Sequence, residues 1–294
     1  MSSYVDPRFR PTLWPGTVVP TPALQPFKKV EISGDWLVWD LAPTHGQPEV
    51  ELPEDFYLRE LMTVSADDLE EVGALYCSYG MLFDLSGDEL DVSDLREEDQ
   101  EDYRELLRQA PPGGFPGGVH HDVVRMHLET AQDAVRTWVA CQHENGLEEL
   151  VAPEVTDELL AALQALNSHK QELWPSSLDH LRKLLIEEQI LRLRSALQQA
   201  LGRFSVGLGG LADRHPTVYS VAFLQLYNHL AEGAFVRQCA NENCGRNFVR
   251  QRGRAEYGQH RTSGVKYCSR ECARAQAQRD LRRRRRQASQ SSSD

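Results

Sequence analysis

Two short segments decide the reading of this chain. Arg237-Gln238-Cys239-Ala240-Asn241-Glu242-Asn243-Cys244-Gly245-Arg246-Asn247-Phe248 is answered by Tyr267-Cys268-Ser269-Arg270-Glu271-Cys272. The four cysteines are spaced C-x4-C-x23-C-x3-C. Two close pairs with a longer stretch between them suit a tetrahedral four-thiolate zinc site, because each pair delivers two sulfurs from one turn. Disulfide pairing is the alternative, and an intracellular chain disfavours it because its thiols stay reduced. Cys239, Cys244, Cys268 and Cys272 are the expected ligands, and zinc is the expected cofactor.

Working outward, Gly245 supplies the turn that lets amide N–H groups face a cysteine sulfur. Asn247-Phe248-Val249 and Val265-Lys266-Tyr267 are short β-type runs expected to pair as a hairpin around a loop with Gly253, Gly258 and Gly264. Ser269 is a suitable N-cap, placing Cys272 in the first turn of a C-terminal helix. Ala273, Ala277 and Leu281 recur at helical spacing and are expected to face the finger. Arg270, Arg274, Gln278, Arg282 and Arg286 form a second stripe with Arg279 and Arg283 beside it, and Arg284 and Arg285 complete the run. The loop side adds Arg246, Arg250, Arg252, Arg254 and Arg261. The arginine fork matches phosphate, and so many on one small unit repel each other without an anion. Gln276, Gln278 and Arg274 are candidates for base edges.

These residues resemble the CGNR-type zinc finger. The resemblance rests on Arg237 to Phe248, on Tyr267-Cys268-Ser269 and on the Arg-rich helix led by Cys272, about 50 residues of the 294. It implies a bacterial transcription regulator with a helical N-terminal domain and a C-terminal treble-clef finger that binds DNA. Two positions depart from the pattern. Ala273-Arg274-Ala275 stands where the family has Gly-Asn-Arg, and the last cysteine pair is one residue shorter.

Charge divides the chain in the same place. Residues 237–287 hold 15 Lys and Arg against 4 Asp and Glu, a net of +11. Residues 1–236 hold 17 basic and 39 acidic residues, a net of −22. A basic module joined to an acidic body points to a nucleic acid or another polyanion as partner of the basic end.

The body reads as mainly α. Residues 1–30 are Pro-rich and read as an extended arm without a core of its own. Ile32 to Leu41 and Phe56 to Val64 read as strands. Ser65 is the expected N-cap of a first helix. Residues 84–102 are acidic, and Asp84 to Leu95 fails as a calcium loop because glycine and glutamate are misplaced. A Pro/Gly break at 111–118 precedes helical patterns over 120–145, 156–170, 176–204 and 216–232, with Pro216 expected at the first helical position. His120, His121 and His127 have no ligand set around them and read as surface or packed residues. Cys77 and Cys141 read as buried thiols. Gly233 to Val236 reads as a link to the finger, and residues 288–294 as a disordered tail.

No run approaches the length of a membrane span, and the residues Met1 to Pro7 give no expectation of a secretory signal. The expectation is therefore a cytoplasmic, non-enzymatic, zinc-dependent nucleic-acid-binding protein. Its 31–236 body is helical with a small β element, and its 237–287 segment is a treble-clef finger. The expected partner is duplex DNA, and the body is left to bind a small molecule or a protein. Two alternatives stay open. One is RNA binding. The other is an enzyme or effector with its site in the body and the finger as targeting device.

Overall fold

Val218 to Ala231 is apolar on almost every face, and a helix of that kind has to be buried all round. It is the central helix of the computed structural model, which describes residues 4–9, 18–40, 48–84, 97–166, 175–202, 204, 216–249 and 265–291. The order begins with β1 (Glu31–Ser33), β2 (Trp36–Trp39), α1 (Glu60–Thr63), α2 (Leu69–Tyr79) and α3 (Glu97–Arg108). It continues through β3 (Gly117–His120), α4 (His121–Ala140), α5 (Gly146–Val151), α6 (Asp157–Leu166), α7 (Leu178–Gly202) and α8 (Val218–Ala231). The chain ends with β4 (Arg237–Gln238), β5 (Asn247–Phe248) and α9 (Arg270–Ser291). The fold is mainly α, with two small antiparallel sheets and a C-terminal cysteine cluster.

The core forms where α7 lies against α4 and α8. Leu181, Leu185, Leu193, Ala196 and Ala200 of α7 meet Val124, Leu128, Ala131, Val135 and Trp138 of α4 in one buried cluster with most of α8. Thr217 caps α8. Its Oγ1 accepts the Ser220 N–H at 3.1 Å, while Ser220 Oγ accepts the Thr217 N–H at 3.0 Å. Pro216 therefore lies one residue before the cap, not at the first helical position as expected. Likewise Asp68, not Ser65, caps α2, and its Oδ1 accepts the N–H groups of Glu70 and Glu71 at 2.9 and 3.1 Å.

The front of the body differs from expectation in three places. Ile32 to Leu41 holds a hairpin instead of one strand, because Gly34 takes φ 60° and turns β1 onto β2. Phe56 to Val64 is helical instead of extended: a 3-10 turn at Phe56–Leu58 leads into α1. Its alternating pattern is filled by burial of Phe56, Tyr57, Leu58 and Leu61 on several sides. The Pro/Gly break supplies the third strand, β3, with Leu37 opposite Val119.

The described parts of the N-terminal arm, residues 4–9 and 18–30, are packed on the body. Phe9 and Leu24 are buried in the main core. Asn228 of α8 binds Val19 as a strand would, accepting its N–H and donating to its carbonyl, both at 2.8 Å. Gly80 lets the arm pass: its φ is 95°, and an added Cβ would lie 2.1 Å from Gln25 O.

Candidate metal centre

β4 and β5 build the first half of the site. Arg237 pairs with Phe248 and Gln238 with Asn247, so the strands flank the first cysteine pair. At the turn the N–H groups of Cys244 and Gly245 both donate to Asn241 O, at 2.8 and 3.2 Å, with Gly245 at φ 57°. The hairpin thus differs from the expected pairing of 247–249 with 265–267. Val265 to Tyr267 is no strand, although Lys266 O accepts the Ala240 N–H at 2.8 Å and holds the segment beside the turn. Ser269 caps α9 as expected, its Oγ accepting the Cys272 N–H at 3.2 Å.

The four sulfurs come together. The Sγ atoms of Cys239, Cys244, Cys268 and Cys272 all lie within 4.8 Å of one another. Cys244 and Cys268 are 3.6 Å apart, and Cys268 and Cys272 are 3.5 Å apart. Ligands at about 2.3 Å around a tetrahedral zinc stand about 3.8 Å apart, so the cluster has the right size for that ion. Burial and the neighbouring Cys272, Cys244 and Cys239 push the Cys268 thiol well above its usual range. Four thiols this close cannot ionise together unless a cation sits among them. Backbone donors already point at the sulfurs. The Cys268 N–H lies 3.4 Å from Cys239 Sγ, and the Arg246 N–H favours the Cys244 thiolate. Four protein ligands leave no open coordination position, which fits a structural zinc and not a catalytic one.

α9 is braced by polar contacts. Gln276 is 6 % exposed; its Oε1 accepts the Glu242 N–H at 3.3 Å, and its Nε2 donates to Glu242 Oε1 at 3.1 Å. Arg279 donates to Asn241 Oδ1, and Arg283 pairs with the Glu242 carboxylate, which it holds below the usual carboxylate range. The inward face is thus Cys272, Gln276, Arg279 and Arg283. The expected face of Ala273, Ala277 and Leu281 points elsewhere, with Ala277 exposed and Leu281 49 % exposed. Two alanines and one leucine bury little area, so hydrogen bonds to the turn decide the rotation of the helix. Gln276, a candidate for base contact, is a brace. Arg279 and Arg283, expected on phosphate, face the finger. Asn241 was missed, although an Asn within such a turn is a recognisable signal: its Oδ1 accepts the Asn243 N–H at 3.1 Å.

The other candidates fall as follows. Arg270, Arg274, Gln278, Arg282, Arg284, Arg285 and Arg286 are exposed on α9, and Arg246 is exposed on the turn. Arg250, Arg252, Arg254 and Arg261 lie outside the described residues. α9 continues to Ser291, into the segment expected to be a disordered tail.

The finger is docked on the body. Phe248 enters the small finger core with Val265, Cys239 and Cys268, while the next residue, Val249, enters the main core. Ala234 and Val236 of the expected link are buried there too. Asp55 Oδ2 accepts the Val249 N–H at 3.2 Å, Gln142 Oε1 accepts the Val236 N–H at 2.7 Å, and Arg59 Nη2 donates to Cys268 O at 3.3 Å. Asp55 in turn lies 3.8 Å from His229 Nε2, and His229 Nδ1 shares a hydrogen bond of 2.9 Å with Tyr57 Oη.

Elsewhere, His127 is packed as expected, 1 % exposed, with its Nε2 at 2.9 Å from Tyr103 Oη. Burial lowers its pKa to about 3. Cys141 is buried and its thiol is pushed up to about 12 by that burial, but Cys77 is exposed, contrary to expectation. No helix among the described residues is long and apolar enough to cross a membrane. Compared with protein-family models, with curated proteins and with solved structures, the chain matches none of them.

Proposed function

We propose that the chain is a zinc-dependent nucleic-acid-binding protein that engages duplex DNA through α9 and acts as a transcription regulator. The observation that carries this reading is the exposed stripe of Arg270, Arg274, Gln278, Arg282 and Arg286 on one side of α9. A helix of 22 residues is about 33 Å long and has the diameter of a major groove. From Leu281 to Gln287 every residue is exposed, so the distal part of α9 projects from the finger. Arg282, Arg284 and Arg286 have no acidic partner among the described residues. Phosphates would complete them. The net charge of −22 on residues 1–236 repels the same polyanion and restricts contact to this helix. The reading assigns binding, and no catalysis, to the chain.

The test is anisotropy of the full, zinc-loaded chain with duplex DNA, single-stranded RNA and duplex RNA from low to high salt. Duplex DNA should bind with log K falling linearly against log salt. The triple substitution R282S/R284S/R286S should reduce the slope by up to about 2.7, at about 0.9 per phosphate contact. Absent or salt-independent binding to all three would refute the reading, and preference for RNA would refute its DNA assignment.

A further inference from the structure

A cleft of about 600 Å³ opens at the seam between body and finger. Leu58, Met62, Val135, Val139 and Leu150 give it an apolar wall, and Gly245-Arg246-Asn247, directly after the ligand Cys244, close another side. Its volume lies within the range of sites for small molecules. The charges along it are unequal. Arg59, Arg136 and Arg246 line it against a single acid, Glu149, and of the three arginines Arg136 is already paired with Asp133.

Arg59 is the informative residue. It is 8 % exposed. Among the described residues its guanidinium makes one hydrogen bond, from Nη2 to Cys268 O, and Nε has no partner. No carboxylate among the described residues pairs with it. Arg8 shows what this chain does elsewhere: its guanidinium meets Asp6 through both Nε and Nη2. A buried guanidinium without a counter-charge is costly, and an anion entering from the cleft would offset that cost. The apolar wall beside it suits the remainder of the same molecule.

We propose that this cleft binds a small amphiphilic anion, with its acid group on Arg59 and its apolar part against Met62, Val135, Val139 and Leu150. The ligand class is a monoanionic carboxylate, sulfonate or phosphate ester on a ring system or short chain. Such a ligand would touch α1, α4, α5 and the turn that carries Cys244 at once. The inference does not depend on the nucleic-acid reading.

The experiment uses the full, zinc-loaded chain and two fluorescent probes that share one ring system. 8-Anilinonaphthalene-1-sulfonate carries the anion, and N-phenyl-1-naphthylamine lacks it. The sulfonate should bind at one site, at least tenfold more tightly than the neutral probe, as a charge-assisted hydrogen bond implies. Arg59→Gln should abolish that preference, and Met62→Trp, which fills the cleft from a half-buried position, should weaken both probes at least tenfold. Circular dichroism and zinc content establish that each variant is folded. If Arg59→Gln does not fold, the preference of the unaltered chain and the weakening of both probes in Met62→Trp decide the matter. Equal affinity for the two probes, a preference that survives in folded Arg59→Gln, or sulfonate binding unchanged in Met62→Trp would each overturn the proposal.

Discussion

Removing zinc from the full chain should unfold the finger and leave the body folded. The finger core buries two large apolar side chains, Phe248 and Val265, beside Cys239 and Cys268. Burial of such side chains contributes about 1.5–3 kcal/mol each, so the pair supplies at most about 6 kcal/mol. A structural zinc supplies about 10–16 kcal/mol to a unit of this kind. The metal is the larger contribution by a factor of about two, and the small core cannot replace it. The body has its own core around α4, α7 and α8 and shares Val236 and Val249 with the finger. The assay is amide hydrogen exchange by mass spectrometry before and after chelation, with zinc content measured in parallel. The amides of Cys239, Ala240 and Cys244 donate to Arg246 O, Lys266 O and Asn241 O and should lose protection. Those of α4 and α8 should keep theirs. Cys268→Ala should reproduce the pattern without chelator. Continued protection of those three finger amides at zero zinc content would refute the reasoning.

Three further outcomes are expected. His127 has a folded pKa near 3 because of burial, below its ordinary value near 6.5, so the unfolded chain binds the extra proton between those limits. Stability should therefore fall as pH drops from about 6.5 toward 3, by up to about 1.4 kcal/mol per pH unit from this group. Urea midpoints for the double variant His127→Leu/Tyr103→Phe should show a shallower slope in that window. In the zinc-loaded chain, iodoacetamide should label exposed Cys77 first, and after chelation Cys239, Cys244, Cys268 and Cys272 as well, while buried Cys141 stays unlabelled as long as the body is folded; peptide mapping reads this. Asn228→Ala should cost about 1–3 kcal/mol in chemical denaturation, because it leaves both backbone groups of Val19 without their partner, and should raise proteolysis of the arm near Val19.

What the sequence made legible is what local chemistry dictates. Cysteine spacing announces the metal cluster, helical periodicity announces α4, α7 and α8, and Ser269 announces the start of α9. The residues that escaped are those whose role depends on a distant partner. Phe56 to Val64 alternates like a strand, yet burial on several sides by α2, α4 and α8 makes it helical. Ala273, Ala277 and Leu281 look like an inward stripe, yet Glu242 and Asn241 lie 30 or more positions earlier and draw Gln276 and Arg279 inward instead. Asp55 and Arg59 sit in a segment with no motif, and their partners Val249 and Cys268 are 194 and 209 residues away.

Those two residues also change how the halves relate. A short link between oppositely charged units suggests a tether, with the finger free to swing. The described contacts oppose that picture. Successive residues Phe248 and Val249 belong to different cores. Swinging the finger away would draw Val249 and Val236 out of the main core. It would also leave the Asp55 carboxylate without the Val249 N–H, and the Arg59 guanidinium without Cys268 O. Exposing two valines costs about 3–6 kcal/mol, before the polar groups are counted. The carbonyl that Arg59 holds belongs to a metal ligand, and the N–H that Asp55 holds follows a residue of the finger core. Docking and metal binding therefore act on the same few residues. Loss of zinc loosens the seam, and loss of the seam strains the ligand set. These contacts hold the finger on the body, and the distal part of α9 projects from it.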